Sequence, residues 1–236
     1  ALSTLTNSGH VQITNAATAD HSTITNSASS EIDAGSTALT TSTTLTNSGL
    51  VKVSGAATAD ASTITNNVSS EIDAGSATLS NTSTLTNAGL VKVAADATLQ
   101  TSSVLDNTGT VNVTGNATLN HATADNDGTL TVGGAAHLSA LSHLDNDGSL
   151  AVTGAATVDN STVINGAESA SASITAASAA LTASAVLTNS GKVQVAGAAT
   201  SDASSITNNV SSEIDAGSAT LSNSTTLTNA GLVKVA

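Results

Sequence analysis

An apolar residue followed two positions later by asparagine returns about every twenty residues along this chain. The pairs are Leu5 and Asn7, Ile24 and Asn26, Leu45 and Asn47, Ile64 and Asn66, Leu85 and Asn87, and Leu105 and Asn107. They continue as Ala124 and Asn126, Leu144 and Asn146, Val163 and Asn165, Leu187 and Asn189, Ile206 and Asn208, and Leu227 and Asn229. Between these marks the apolar positions alternate with polar ones, the period of a β-strand. From Leu45 the inward pairs are Leu45 and Asn47, Val51 and Val53, and Ala57 and Ala59; from Ile64 they are Ile64 and Asn66, Ser70 and Ile72, and Ala77 and Leu79. A repeat near twenty residues is one turn of a solenoid, able to bury its apolar face only against its neighbours. The pattern therefore predicts an all-β, single-stranded parallel β-helix with about 19–21 residues and three short strands per coil. Gly49 and its equivalents Gly9, Gly89, Gly109, Gly128, Gly148, Gly191 and Gly231 mark a corner at which positive φ is expected.

The repetition overrides any domain count taken from length, and residues 1–236 read as one continuous array. One coil, near 163–180, is lengthened by the Ser/Ala stretch Ala167 to Ala180, which is expected to bulge from a corner as a loop. A longer period is superposed: Leu45 to Ala94 nearly repeats as Leu187 to Ala236, for example ITNNVSSEIDAGSATLSN at Ile64 to Asn81 and at Ile206 to Asn223. The chain opens and closes inside the pattern, so a longer array is expected.

The register of the asparagines predicts a buried ladder, each amide donating to one coil and accepting from the other at the ~4.8 Å strand spacing. Asparagine as a tolerant turn residue is the competing explanation. Counting seven residues on from each coil start gives Gln12, Glu31, Lys52, Glu71, Lys92 and later Gln194, Glu213, Lys234, which predicts alternating charges on an outward face.

Composition narrows the choices. Phe, Trp, Tyr, Met, Cys and Pro are all absent, so the interior must be narrow and no disulfide can staple it. The net charge of −13, with four lysines as the only basic residues besides histidine, lacks the cationic footprint that nucleic acid or an anionic membrane requires. No apolar run is long enough to span a bilayer.

Two outward features carry candidate chemistry. Asp106, Asp125 and Asp145 align on successive coils with Asp127 and Asp147 nearby, and calcium is the hard cation such stacked carboxylates would take, although the spacing matches neither an EF-hand nor a calcium roll. Threonines flank the first-strand apolar residue in Thr4-Leu5-Thr6, Thr23-Ile24-Thr25, Thr44-Leu45-Thr46, Thr63-Ile64-Thr65, Thr84-Leu85-Thr86 and Thr226-Leu227-Thr228. This resembles the TxT ranks of ice-binding β-helices, but the aspartates break it in the middle. No catalytic residue is assigned and the chain is not expected to be an enzyme: His10, His21, His121, His137 and His143 form no metal-ligand pattern, and the pairs Glu31 and Asp33, Glu71 and Asp73, and Glu213 and Asp215 recur like decoration.

Repeats such as LTNSGLVKVSGAATAD and LTNAGLVKVAADATL resemble those of secreted bacterial β-helix proteins of the filamentous haemagglutinin and autotransporter adhesin type. The resemblance implies a right-handed β-helix at the bacterial cell surface, exported and extracellular. A structural filament or adhesin shaft is the expected function, with copies of itself, end to end or laterally, or a cell-surface glycan or protein as partners. The alternative is a ligand-binding module that uses the outward Thr/Ser/Asn face for ice or glycan.

Overall fold

The structure, a computed structural model, describes residues 3–236. It is a parallel β-solenoid of about 12 turns, with no helix among the described residues. Short strands such as Ser3–Asn7, Ser22–Asn26, Thr44–Asn47 and Thr63–Asn66 stack as a 12-stranded parallel sheet, the first face of the rod. Each ends in a Thr-apolar-Thr-Asn-like tetrapeptide whose apolar residue and asparagine turn inward, as period two requires.

The expectation of three separate strands holds in only part of the rod. In the coils between Leu90 and Ser139 the second and third faces are distinct, as in Leu90–Val93 and Ala97–Gln100. Elsewhere they form one bent strand, such as Leu50–Asp60 or Glu71–Ser80, with a register shift where the chain turns, between Val53 and Ala56. The separation has a local cause. Asp96 Oδ1 accepts the Asn116 amide at 2.7 Å, and Asn116 Oδ1 accepts that of Ala135 at 2.9 Å, so side chains take over backbone donors at this corner. Where Ser54 and Gly55 stand instead, the ladder runs on around the bend.

Two corrections follow from the unequal corners. The first corner is two residues in one coil type, 48–49, and four in the other, 67–70. In the coil from Ile64 the second-face inward pair is therefore Ile72 and Ala74, with Ala74 2% exposed, and Ser70 belongs to the corner. The outward rank shifts by two as well: Lys52 lies opposite Asp33 and Asp73, not Glu31 and Glu71. The glutamates still reach lysine diagonally, with Lys92 Nζ 2.7 Å from Glu71 and Lys234 Nζ 2.6 Å from Glu213. In the lengthened coil the extra residues are confined to 166–172; Ser173–Thr182 is a strand in register with its neighbours, not part of a loop.

The recurring corner glycines also serve a purpose other than the expected one. None of Gly9, Gly49, Gly89, Gly109, Gly128, Gly148, Gly191 and Gly231 has positive φ; Gly166 alone among the described glycines does. All but Gly9 sit where coils meet closely: a Cβ on Gly49 would strike Ser30 O and come within 2.6 Å of Ser27 O. Left-handed backbone falls on other residues, at the third corner on Ala61, Asn81, Thr82 and Ala203 among others, and at the four-residue first corners on Ser29, Ser69 and Ser211.

Candidate functional site

The core is a single file of chemistry repeated coil by coil. Leu45, Val51, Val53 and Ala59 are buried in one coil and Leu85, Val91, Val93 and Leu99 in a later one. The ladder asparagines from Asn26 to Asn208 are fully enclosed, Asn7 is nearly so, and Asn229 is exposed. Every step is hydrogen-bonded, Nδ2 of one to Oδ1 of the next, at 2.7–2.9 Å from Asn7 through to Asn229. A second bond from the same nitrogen reaches the strand that begins the next coil's second face, as Asn47 Nδ2 to Glu71 O at 2.9 Å. No ladder asparagine has positive φ, so the turn-former explanation does not describe them.

At the four-residue corners and at several of the two-residue ones, Oδ1 also finds a second donor. In long corners it is a serine hydroxyl, Ser70 Oγ to Asn66 Oδ1 at 2.7 Å; in several short ones it is a glycine amide, Gly49 N to Asn47 Oδ1 at 3.1 Å. A buried polar group that would cost about 1–3 kcal/mol unpaired is thus satisfied at each level.

A second internal rank was missed in the sequence. Thr43, Ser62, Ser83, Ser103, Ser142, Ser161 and Ser204 are buried at the third corner, two residues before each first-face apolar residue. Their hydroxyls bind carbonyls just upstream, as Ser83 Oγ to Ser80 O at 2.7 Å and Ser103 Oγ to Gln100 O at 2.6 Å, holding the left-handed turn closed. The available signal was a small residue, Ser, Thr or Ala, two places before every apolar-x-Asn pair.

On the outer surface the predicted aspartates do align: Asp106 pairs with Asp125 and Asp125 with Asp145. Partial burial raises the carboxyls of Asp125 and Asp145 above the usual range, and the neighbouring Asp127 and Asp147 charges push the same way. Asp145 Oδ1 is enclosed without a hydrogen-bond partner. Asp147 is otherwise engaged, accepting the Glu168 and Ser169 amides at 2.8 and 3.1 Å. Among the described residues no three acidic, histidine or cysteine side chains converge as a metal-ion cluster. A straight rank along a sheet holds its carboxylates side by side rather than around a centre.

Two histidines stand beside carboxylates, which the sequence reading did not anticipate. His10 Nδ1 is 3.2 Å from Glu31 and His21 Nδ1 3.2 Å from Asp20. The bond from His21, with those from Thr41 and Thr40, holds the Asp20 carboxyl below its ordinary value. Asp20, Asp60, Asp159 and Asp202 each accept a hydroxyl from the following coil, as Ser222 Oγ to Asp202 at 2.8 Å.

The threonines form two straight ranks on the first face, Thr4 to Thr84 and Thr6 to Thr86, in register over five successive strands. Val104 and Asp106 end them. The fold and these ranks define a parallel β-solenoid repeat protein. A comparison with known proteins finds no matching family, curated protein or solved structure.

Proposed function

We propose that this protein is a structural element of a bacterial surface: an extracellular filament or adhesin shaft that associates with copies of itself or carries a binding tip. The supporting observation is the unbroken asparagine ladder, hydrogen-bonded at every step from Asn7 to Asn229. It makes each coil depend on the next and gives a rod whose sequence is spent on continuity. At ~4.8 Å per coil the array is roughly 50 Å long.

The ladder is also polar, every amide donating toward the C-terminal side. Leu221, Leu227, Leu232 and Val235 are exposed in the last coil, whereas Leu79, Leu85 and Val93 at equivalent positions are buried. A further coil or second copy that continues both the stack and the ladder there arrives head to tail with strands parallel, which keeps the one-way order of the amide donors. A heterologous contact of this kind is open-ended and makes fibres.

The reading assigns no catalytic step to the chain, and cell-surface glycans or proteins would be met at a tip or along the flank. Negative-stain electron microscopy at increasing protein concentration, with and without calcium, tests it. Fibres one coil-section wide that lengthen with concentration are expected of self-assembly, and monodisperse short rods of a passive shaft. Globular particles would overturn both.

A further inference from the structure

All four lysines of a chain with net charge −13 lie on its second face. Each points outward from a different coil, and carboxylates occupy the same two outward columns. Counted from the coil of Leu5, the face is acidic in the second coil (Glu31, Asp33), basic in the third (Lys52), acidic in the fourth (Glu71, Asp73) and basic in the fifth (Lys92). Its outward positions from Thr110 to Thr175, in the sixth to ninth coils, carry no charge. The tenth is basic again (Lys192), the eleventh acidic (Glu213, Asp215) and the twelfth basic (Lys234).

This order is complementary to its own reverse. We infer that two copies of this chain pack antiparallel, second face against second face, about a twofold axis along the strand Thr129–Val132 of the seventh coil. That operation sets each outward column against its own copy and reverses the coils, so the second coil meets the twelfth, the third the eleventh and the fourth the tenth. Asp33 then faces Lys234, Lys52 faces Asp215 and Glu71 faces Lys192, and the symmetry repeats each pair. A slip of one coil either way puts carboxylate against carboxylate and lysine against lysine, as does a parallel pairing coil for coil. The charges therefore select both orientation and register.

Two of the lysines lack a partner within their own chain. Lys92 and Lys234 meet Glu71 and Glu213 at 2.7 and 2.6 Å, whereas Lys52 and Lys192 make no salt bridge among the described residues. The pairing supplies Asp215 to one and Glu71 to the other. In the uncharged middle, small outward residues such as Thr131, Ser149 and Ala151 let the two sheets approach to the ~10 Å of face-to-face packing. Four-residue strands over the overlapping coils give a contact of roughly 13 by 50 Å, about 1,300 Å² counted on both copies, which reaches the size of a specific interface. Among the described residues no other face offers this, since the aspartates of the first face and those near the third corner, such as Asp125 and Asp159, have no lysine beside them.

The contact rests on the self-associating shaft proposed above and gives it a lateral partner. Sedimentation equilibrium of the whole chain is expected to show monomer in exchange with dimer. Lys52→Glu is expected to weaken the dimer about tenfold or more, and adding Asp215→Lys to restore it to within about threefold. A chain that stays monomeric up to about 1 mM, or a folded double variant no tighter than the single one, would overturn the inference. Because the chain has no cysteine, a bis-maleimide spanning about 10 Å reads the geometry without a change of charge. Thr131→Cys, on the axis, is expected to cross-link to its copy, and Gln194→Cys, six coils away from its own, is not. Linkage of both or of neither overturns the pairing, even where a charge variant misfolds. Rods that remain monomeric would sink the pairing and leave the shaft standing; globular particles would sink both.

Discussion

Removing one rung from the middle of the ladder is expected to cost far more than removing the last. Asn107 Nδ2 donates to Asn126 Oδ1 at 2.7 Å and to Thr129 O at 3.2 Å, and its Oδ1 accepts from Asn87 at 2.8 Å. In Asn107→Ala, Asn87 Nδ2 keeps Thr110 O and Gly89 O, so that side is repaired. The other side is not: Asn126 Oδ1, fully buried, has no second donor among the described residues. One orphaned acceptor at about 1–3 kcal/mol and a lost bond at about 1 kcal/mol give roughly 2–4 kcal/mol. Asn229→Ala removes only an exposed acceptor, and Asn208 Nδ2 retains Leu232 O at 3.1 Å, so about 0.5–1 kcal/mol is expected. Urea unfolding followed by circular dichroism measures both. Because a solenoid's stability is a sum of coil and interface contributions, hydrogen exchange should place the loss at the coils either side of position 107. Asn107→Asp keeps the shape but turns a carboxylate toward acceptors, so its defect should be greatest at neutral pH and shrink on acidification. Equal costs at positions 107 and 229, within about 0.5 kcal/mol, would refute the ladder's energetic role.

Other outcomes follow from the corners and the carboxylates. Ala61→Gly and Ala203→Gly relieve left-handed backbone, φ 47° and 50°. Each should stabilise by about 0.5–1 kcal/mol, the αL penalty of ~1–2 kcal/mol less glycine's extra chain entropy; a loss in melting temperature would contradict this. Gly128→Ala places a Cβ on Gly109 O and 2.8 Å from Thr108 C, and should cost about 1–3 kcal/mol, whereas Gly9→Ala meets nothing within 4 Å and should be near neutral in the same unfolding assay. Burial and its neighbours raise the Asp145 pKa, so this group favours folding while protonated, below the unfolded value, and loses that contribution as pH rises through the folded one. Asp145→Asn should therefore melt above wild type at about pH 7 and converge with it below about pH 4; a constant difference across that window would remove the explanation.

The alternation around Leu45, Val51 and Ala59 and the spacing of the asparagines were enough to read the coil, its inward face and the ladder, because a buried amide can be tolerated at every level only in register with itself. The aspartate and threonine ranks were equally legible, since they lie next to the ladder on the same short strand. Corner lengths were not. A strand displaced by two residues keeps the same side chains inward, so hydrophobic pattern alone cannot distinguish Lys52 opposite Glu71 from Lys52 opposite Asp73. Nor can it locate the left-handed turn, which fell on Ala61 and Thr82 rather than on glycine because a buried hydroxyl such as Ser62 or Ser83 holds that corner. The sequence by itself determined the period, the β-solenoid and the identity of its inner ranks, all set by chemistry repeated at fixed spacing. Tertiary structure alone decided which outward residues meet across coils, where the strands merge and how closely the glycines pack, since those depend on backbone pairing between residues about twenty positions apart.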